Sequence, residues 1–347
     1  MRRAMPYRSY PYGSDRLAAR EECAKVRFPK TTCNSDWMPL NLAQLTQDMD
    51  SLSRSTWDRV MIGDIARLKF REDSITDEIL FTLMKRHPQL AVKRFSQNEE
   101  KTSGADWEWW VGSQGLGWFR LRIQAKRVHD KSYRELDHRG DTDAGHEFQY
   151  QTLIAGCNKD ATYPFHIFFN GWPQARFIES FKSDHDRRCG PLDQDLWGCA
   201  AISSHTVKEL HLGSRSADWS KRRSVPRYMP DSLPWSRLFT TACTNAAARN
   251  PILPNASPEQ IFRHMHLSTV LVDGAARGEF SIEEPDWQQV VDNLDSTSLI
   301  TELPSYAWKA QAAQREFLNS DNYIEENHNF IVGPDDGDCL NNGGSGP

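Results

Sequence analysis

Hydrophobic positions recur at two different spacings along the chain, and each spacing predicts a different kind of element. Between residues 41 and 68, apolar residues return every three or four positions, which predicts two helices. A further helical stripe begins at Ser74, which has a capping-box spacing to Asp77, and Pro88 ends it. Residues 1–40 show no period, so we expect an irregular arm there.

Alternating apolar and polar residues predict strands in the next part of the chain. Leu90–Phe95 is a short candidate, and residues 105–111 are aromatic and β-prone. Residues 118–126 alternate throughout, and glycines between 112 and 117 predict the turn that precedes them. One face of this strand holds apolar residues, and the other holds Trp118, Arg120, Arg122, Gln124 and Lys126.

A helix at 144–157 and a buried strand at 165–170 complete the order helix, strand, strand, strand, helix, strand. This order predicts a mixed α/β core with helices on the faces of the sheet. Later signals are weaker, and they favour a short strand and helix, a basic loop and then helices. The expected organisation is an arm with helices at 1–69, an α/β core at 70–175, a mainly helical region at 176–330 and a disordered tail at 331–347. Within the later region the basic loop is placed at 213–234 and the helices at 257–271, 285–294 and 305–318.

Composition and charge narrow the class of protein. A hydrophobic fraction of 38% and a charged fraction of 26% indicate a folded chain. No apolar run is long enough to cross a membrane and no signal peptide is evident, so we expect a cytoplasmic protein. The seven scattered cysteines include no C-x-x-C pair, which argues against a disulfide framework or zinc ribbon. A net charge of −5 means that any contact with nucleic acid must be local.

The hairpin at 105–126 carries the candidate chemistry. If Gly112 pairs with Trp118 across a five-residue loop, Asp106 lies opposite Gln124 and both share a face with Lys126. Glu108 lies one step along the same face. A carboxylate, an amide oxygen and a lysine in one cluster suit metal-assisted cleavage of a phosphodiester.

This pattern resembles a known superfamily. Asp106, seventeen intervening residues and then Gln124-Ala125-Lys126 resemble the PD-(D/E)XK nucleases, in the subset where Gln replaces the acid of the E-x-K element. The GADWEWW segment at 104–110 with QAKR at 124–127 is similar to an uncharacterised, mostly bacterial family assigned to that fold. The resemblance covers about residues 70–172, and it implies a restriction-endonuclease-like mixed sheet flanked by helices.

The resemblance also implies roles for individual residues. Asp106 becomes the central ligand of Mg²⁺ or Mn²⁺, and Lys126 becomes the catalytic lysine. Gln124 becomes a metal or water ligand, and the backbone carbonyl of Ala125 adds another oxygen. A glutamate before the hairpin completes such sites in many members, and here Glu78 and Glu100 are both open as that residue.

The implied activity is metal-dependent hydrolysis of nucleic acid, with DNA favoured over RNA and a role in bacterial defence. A homodimer and an activating partner or ligand are open alternatives, and no membrane partner is expected. Candidate phosphate contacts are the basic residues Arg120, Arg122, Arg127 and Lys131. Arg127 and Lys131 belong to a basic segment for which a solvated loop is the alternative. Trp110 is open between base stacking and the core, whereas Trp107 and Trp109 are assigned to the core.

Two other functions compete with the nuclease. Because the Gln124 amide carries no charge, a catalytically degenerate module that binds nucleic acid or a protein is one alternative. A thiol-dependent hydrolase that uses Cys157 is the other, and it requires a thiolate with a low pKa.

Overall fold

The computed structural model describes most of the chain between residues 41 and 239 and parts of the chain beyond. All described residues belong to one compact unit, Pro39–Pro347. The expected arm at 1–40, the helix at 285–294 and the tail at 331–347 lie outside them. The described residues are 41–68, 70–87, 90–113, 117–142, 145–157, 161–172, 193–213, 218–239, 299–314 and 316, with scattered positions between 266 and 278.

Two helices precede the sheet, and both differ from the sequence expectation. α1 (Leu42–Ala66) is one continuous helix instead of two, since no proline interrupts it and Asn41 caps its first turn. α2 (Glu72–Arg86) begins two residues before Ser74, so the predicted capping box at Ser74 is wrong. The N-cap is Arg71, and acidic residues follow in the first turn, where the helix dipole favours negative charge.

The strands after α2 follow the predicted order, with one helix that was not expected. They are β1 (Ala91–Arg94), β2 (Trp107–Ser113) and β3 (Gly117–Arg127). Between β1 and β2 lies α3 (Gln97–Ser103), which the sequence pattern did not predict. The missed signal is Ser96-x-x-Glu99, because the Glu99 carboxylate accepts a hydrogen bond from the Ser96 amide.

A second small sheet and the crossover helix come next. β4 (Arg139–Thr142) and β5 (Gly145–Phe148) form an antiparallel pair. α4 (Gln149–Ala155) follows β5. The helix expected at 144–157 therefore begins five residues later than predicted. It leads to β6 (Thr162–Phe169), which is buried along its whole length as expected.

The chain after residue 175 extends the same sheet. β7 (Cys199–Ser203) and α5 (Ser204–Leu212) confirm the predicted strand and helix. The expected basic loop instead contains α6 (Trp219–Arg222), α7 (Val225–Tyr228) and β8 (Leu233–Pro234). Residues 305–314 are helical, which confirms the described part of the last predicted helix.

The main sheet has six strands in the order β1-β2-β3-β6-β7-β8. β3 is antiparallel to β2 and parallel to β6, so the sheet is mixed. The hairpin register is the predicted one, since Gly112 pairs with Trp118 and Trp107 pairs with Ile123. The predicted mixed α/β class is confirmed at this level, with helices packed on the sheet.

The core lies between the sheet and α1 and α2, and it contains two of the three tryptophans of β2. Trp107 and Trp109 are buried there, as expected. Trp110 is also buried, but on the opposite face of the sheet, where it packs with Trp118 and the helical segment 305–314. Base stacking by Trp110 therefore has no exposed surface to use. No helix in the described part of the chain is long and apolar enough to cross a membrane.

Candidate functional site

A charged cleft of about 690 Å³ opens where β3 ends. It lies between the end of α1, the start of α2 and the segment that follows β3. Its lining combines carboxylates, cations and two histidines, with few apolar side chains. The residues that line it are Gly63, Asp64, Arg67, Leu68, Phe70, Arg71, Glu72, Asp73, Glu100, Asp106, Lys126, Arg127, His129, Glu135, His138 and Gln149.

Asp106 lies in this cleft just before β2 and is held by backbone contacts. Its Oδ2 accepts a hydrogen bond from the Ala125 amide at 2.5 Å, and its own amide donates to the Ile123 carbonyl at 2.8 Å. Burial raises the pKa of Asp106, while Lys126 and the Ala125 amide oppose that rise. The predicted position of Asp106 against β3 is therefore present in the structure.

The Ala125 carbonyl lies on the same edge of β3 as Asp106. The N–H and C=O of one strand residue point to the same side, and the Ala125 N–H points at the Asp106 carboxylate. Because β2 starts only at Trp107, this carbonyl is beyond the end of the paired hairpin. It can therefore supply the backbone oxygen that the resemblance implied.

Lys126 is the second predicted residue that lines the cleft. Its ammonium is buried and lies 3.5 Å from the Glu72 carboxylate. Burial lowers the pKa of Lys126, but Glu72 and Asp106 outweigh this effect, so the pKa is raised overall. Lys126 thus keeps its positive charge at neutral pH.

Glu72 is the acidic residue nearest to Lys126 in the cleft, and sequence reasoning missed it. It is the first residue of α2, and its Oε2 accepts a hydrogen bond from the Arg127 amide at 2.8 Å. Burial raises the pKa of Glu72 to about 8, against the opposing effect of Lys126, and the charge of Asp106 adds to the rise. The signal that could have found it is the acidic pair Glu72-Asp73, which suits a first helical turn better than a loop.

Of the two glutamates proposed from the sequence, only Glu100 lines the cleft. It lies on α3, and its carboxylate accepts a hydrogen bond from Arg94 at 3.1 Å. Burial and the charge of Asp106 raise the pKa of Glu100, and Arg94 lowers it. Glu78 faces α1 instead and pairs there with Arg59, so the structure does not bring Glu78 to Asp106.

Gln124 is close in sequence but is not part of the cleft lining. Its side chain is 1% exposed, and within the described residues its Nε2 has no hydrogen-bond partner. Its neighbour across the parallel pair is His166, whose Nδ1 lies 2.8 Å from the Ser204 hydroxyl. Burial lowers the pKa of His166 to about 3, so this ring is neutral.

Arg120 and Arg122, two of the arginines proposed for phosphate binding, form ion pairs with a buried carboxylate. Glu108 is fully buried, and it lies 3.2 Å from Arg122 and 3.6 Å from Arg120. Its other oxygen accepts a hydrogen bond from the Trp110 indole at 2.9 Å. Arg120, Arg122 and Glu108 therefore stabilise the outer face of the sheet and lie outside the cleft lining.

The other two candidates differ from each other. Arg127 lines the cleft, but its guanidinium pairs with Asp64 at 2.7 Å and lies 3.2 Å from the His129 ring. Lys131 is exposed on the turn that follows β3 and does not line the cleft.

The surroundings of Cys157 do not support the thiol alternative. Burial raises the pKa of this thiol to about 12, although Arg122 opposes the rise. Such a group stays protonated at neutral pH and is a poor nucleophile. Cys157 therefore lacks the low thiol pKa that this alternative requires.

The cleft could hold a hard divalent cation through a few carboxylate oxygens, with water completing the coordination. Across the described ranges, no three His, Cys, Asp or Glu side chains converge into a preformed metal cage. The cleft does offer the oxygens of Asp106, Glu72 and Glu100, and burial is the main cause of the raised pKa of each of these groups. Mg²⁺ suits such a site, since it commonly binds one or two carboxylates and keeps several waters.

Fold and cleft together define a mixed α/β protein with a charged site at the end of its central strand. The sequence from residue 45 to residue 334 matches the family of unknown function DUF6615, and the chain belongs to that family. Comparison with curated proteins finds none that matches the chain.

Proposed function

We propose that the protein is a metal-dependent nuclease of the PD-(D/E)XK type that hydrolyses phosphodiester bonds. The observation that carries this proposal is the meeting of Asp106, Lys126 and Glu72 in one cleft. Carboxylates beside a lysine that stays charged are the groups that phosphodiester hydrolysis with a bound cation requires. DNA is the favoured substrate, with RNA as the alternative.

The arrangement of the elements supports the proposal. A helix, three antiparallel strands, a crossover helix and a parallel strand occur in the order α2, β1, β2, β3, α4, β6. The resemblance to restriction-endonuclease-like cores rests on Asp106 and Gln124-Ala125-Lys126, and this order supports it. A role in bacterial defence belongs to the proposal only through that resemblance, and a cytoplasmic location is an expectation from the sequence pattern.

The residues of the cleft divide the chemistry between them. The Ala125 amide fixes the orientation of Asp106, and Glu72 and Glu100 add carboxylate oxygens from two different helices. When bound, Mg²⁺ or Mn²⁺ would polarise the phosphoryl group and lower the pKa of a bound water. Because Lys126 stays protonated, it stabilises negative charge that develops on the phosphoryl oxygens and does not act as a base.

Cleavage assays with matched variants test the proposal. Supercoiled plasmid, linear DNA, single-stranded DNA and RNA are incubated with Mg²⁺, Mn²⁺ or EDTA. We expect metal-dependent cutting that falls about 100-fold or more in Asp106→Asn and in Lys126→Met. Glu78→Gln, which removes a carboxylate outside the cleft, serves as the control and retains activity. Cutting that survives both cleft variants with intact folds overturns the assignment.

A catalytically degenerate binding module is the second candidate, and Gln124 favours it. The amide that replaces an acid in the resembling motif is buried outside the cleft lining, which removes one oxygen ligand from the site. Thermal unfolding separates the two functions. If the protein is an enzyme of the proposed kind, Mg²⁺ or Mn²⁺ raises the melting temperature of the wild type but not that of Asp106→Asn. If it is the degenerate module, neither metal ion raises the melting temperature of the wild type.

A further inference from the structure

The connection between α1 and α2 forms one lip of the cleft. Its sequence is Arg67-Leu68-Lys69-Phe70-Arg71, which interleaves basic residues with apolar ones. Four of its side chains line the cleft. Basic and aromatic or apolar residues in alternation are typical of surfaces that bind single-stranded nucleic acid.

The two arginines of this lip differ from the other cations of the cleft. Lys126 faces Glu72, and Arg127 pairs with Asp64. Arg67 and Arg71 are exposed, and neither forms an ion pair with any residue that the structure describes. Their guanidinium groups are therefore available to an anion that enters the cleft from solvent.

The backbone of the lip is fixed at both ends, so the arginines start from defined positions. Arg67 adopts a left-handed conformation with φ of 57° as the C-cap of α1, and the Leu68 amide donates to the Gly63 carbonyl at 2.8 Å. Arg71 is the N-cap of α2. The Phe70 ring packs on Gly63 so closely that a Cβ there would lie 2.8 Å from the ring. Order present before binding reduces the entropy lost on binding.

Exposed apolar side chains continue from the lip onto α1. Leu68 is 53% exposed, and Ile65 is 66% exposed three residues earlier. In a duplex the base faces are stacked inside, whereas in a single strand they are open to apolar side chains. Arginines beside exposed apolar residues thus fit an unpaired strand better than a duplex.

We propose that Arg67, Leu68 and Arg71 hold a single-stranded stretch of nucleic acid across the mouth of the cleft. The arginines bind backbone phosphates on the two sides of the reacting bond, and Leu68 contacts an unstacked base. This inference rests on the proposed nuclease function, because it names the form of the substrate. It is tested by binding in EDTA, where cleavage plays no part.

The charge arm of the test replaces both arginines. Fluorescence anisotropy with labelled single-stranded oligonucleotides is measured over a range of salt concentrations for Arg67→Ala/Arg71→Ala. Loss of two phosphate contacts lowers the slope of log K against log salt by about 1.4. The control Lys208→Ala/Lys309→Ala removes two exposed charges away from the cleft and leaves the slope unchanged. Equal losses in both double variants overturn the proposal.

The apolar arm distinguishes a single strand from a duplex. Leu68→Ser weakens binding of the single strand about fivefold, which corresponds to partial burial of one leucine side chain, and leaves duplex binding unchanged. Leu212→Ser, a change at another exposed leucine, alters neither. A wild-type protein that binds duplex more tightly than single strand contradicts the proposal.

The two proposals fail in different ways. If single strands bind in a way that depends on the two arginines but no metal-dependent cleavage occurs, the single-strand proposal is supported and the nuclease proposal is overturned. If Asp106→Asn abolishes metal-dependent cleavage but Arg67→Ala/Arg71→Ala leaves it unchanged, the nuclease proposal is supported and the single-strand proposal is overturned.

Discussion

Glu72 links the stability of the protein to pH. The folded-state pKa of Glu72 is about 8, and the ordinary value is 4.5. Between these values the folded protein holds a proton that the unfolded chain has released. Stability from this proton is therefore fully present below pH 4.5 and is lost as pH rises through about 8. Glu72→Gln cannot ionise, so we expect its melting temperature to fall less than that of the wild type over this interval. Thermal unfolding at several pH values measures the difference.

A control variant keeps this experiment specific to the cleft. Glu78→Gln also removes one carboxylate from α2, but Glu78 pairs with Arg59 outside the cleft. Its pH curve should run parallel to that of the wild type. If the curve of Glu72→Gln is parallel as well, Glu72 does not bind a proton in the folded state at neutral pH.

The sequence identified part of the cleft correctly because strand periodicity is local. Alternation along β3 and the glycines before it were enough to predict the pairing that brings Asp106 to β3 and to choose Lys126. Glu72 could not be found in this way, since its position depends on how α2 packs against the end of β3. The location of Gln124 depends on β6, which alternation along β3 does not describe.

At the scale of elements, Gly104 sets how closely α3 approaches α4. It has a positive φ of 68°, and a Cβ there would lie 2.5 Å from the Leu153 amide and 2.6 Å from the Gln149 carbonyl. Gly104→Ala adds this clash to the cost of the left-handed conformation. We expect the free energy of unfolding to fall by about 2–4 kcal/mol, as measured by chemical denaturation.

Gly278 provides the matched comparison. Its φ is 75°, but no atom of the residues that the structure describes lies within 4 Å of its Cβ position. We therefore expect Gly278→Ala to lower the free energy of unfolding by about 1–2 kcal/mol, which is the cost of the left-handed conformation alone. Equal losses at the two glycines would mean that close contact between α3 and α4 does not contribute to stability.

The errors at the element scale have a common physical cause. Ser74-x-x-Asp77 and Ser96-x-x-Glu99 have the same spacing, yet only the second caps a helix. A cap forms where the chain also leaves the preceding element in an extended conformation, and that depends on tertiary packing. Element order was predictable from periodicity, whereas helix starts required contacts between distant segments.

For the whole molecule, the segment near residue 303 covers the outer face of the sheet. Leu303 packs with Trp110 and Trp118, and Ile300 forms backbone hydrogen bonds with Trp118. Leu303→Ala leaves a cavity there, and we expect it to lower the free energy of unfolding by about 2–3 kcal/mol. Thermal melts followed by far-UV circular dichroism and by tryptophan fluorescence should shift together.

The exposed residue Leu212 is the control for this change. Leu212→Ala removes the same atoms from a side chain that is 47% exposed, so its melting temperature should stay close to that of the wild type. A fluorescence transition in Leu303→Ala that precedes the loss of circular dichroism would show that the segment unfolds separately from the sheet.

The contact between α1 and Trp235 has a consequence for the order in which the chain can fold during its synthesis. The Trp235 indole donates a hydrogen bond to the Met49 carbonyl, 186 positions earlier in the chain. At ordinary translation rates the ribosome needs about 10–40 s to add that many residues. For this time the apolar side of α1 lacks one of the residues that bury it. In a nascent chain of this protein, α1 therefore cannot complete its packing until residue 235 has been synthesised. Chaperones that bind exposed helices have this interval in which to act.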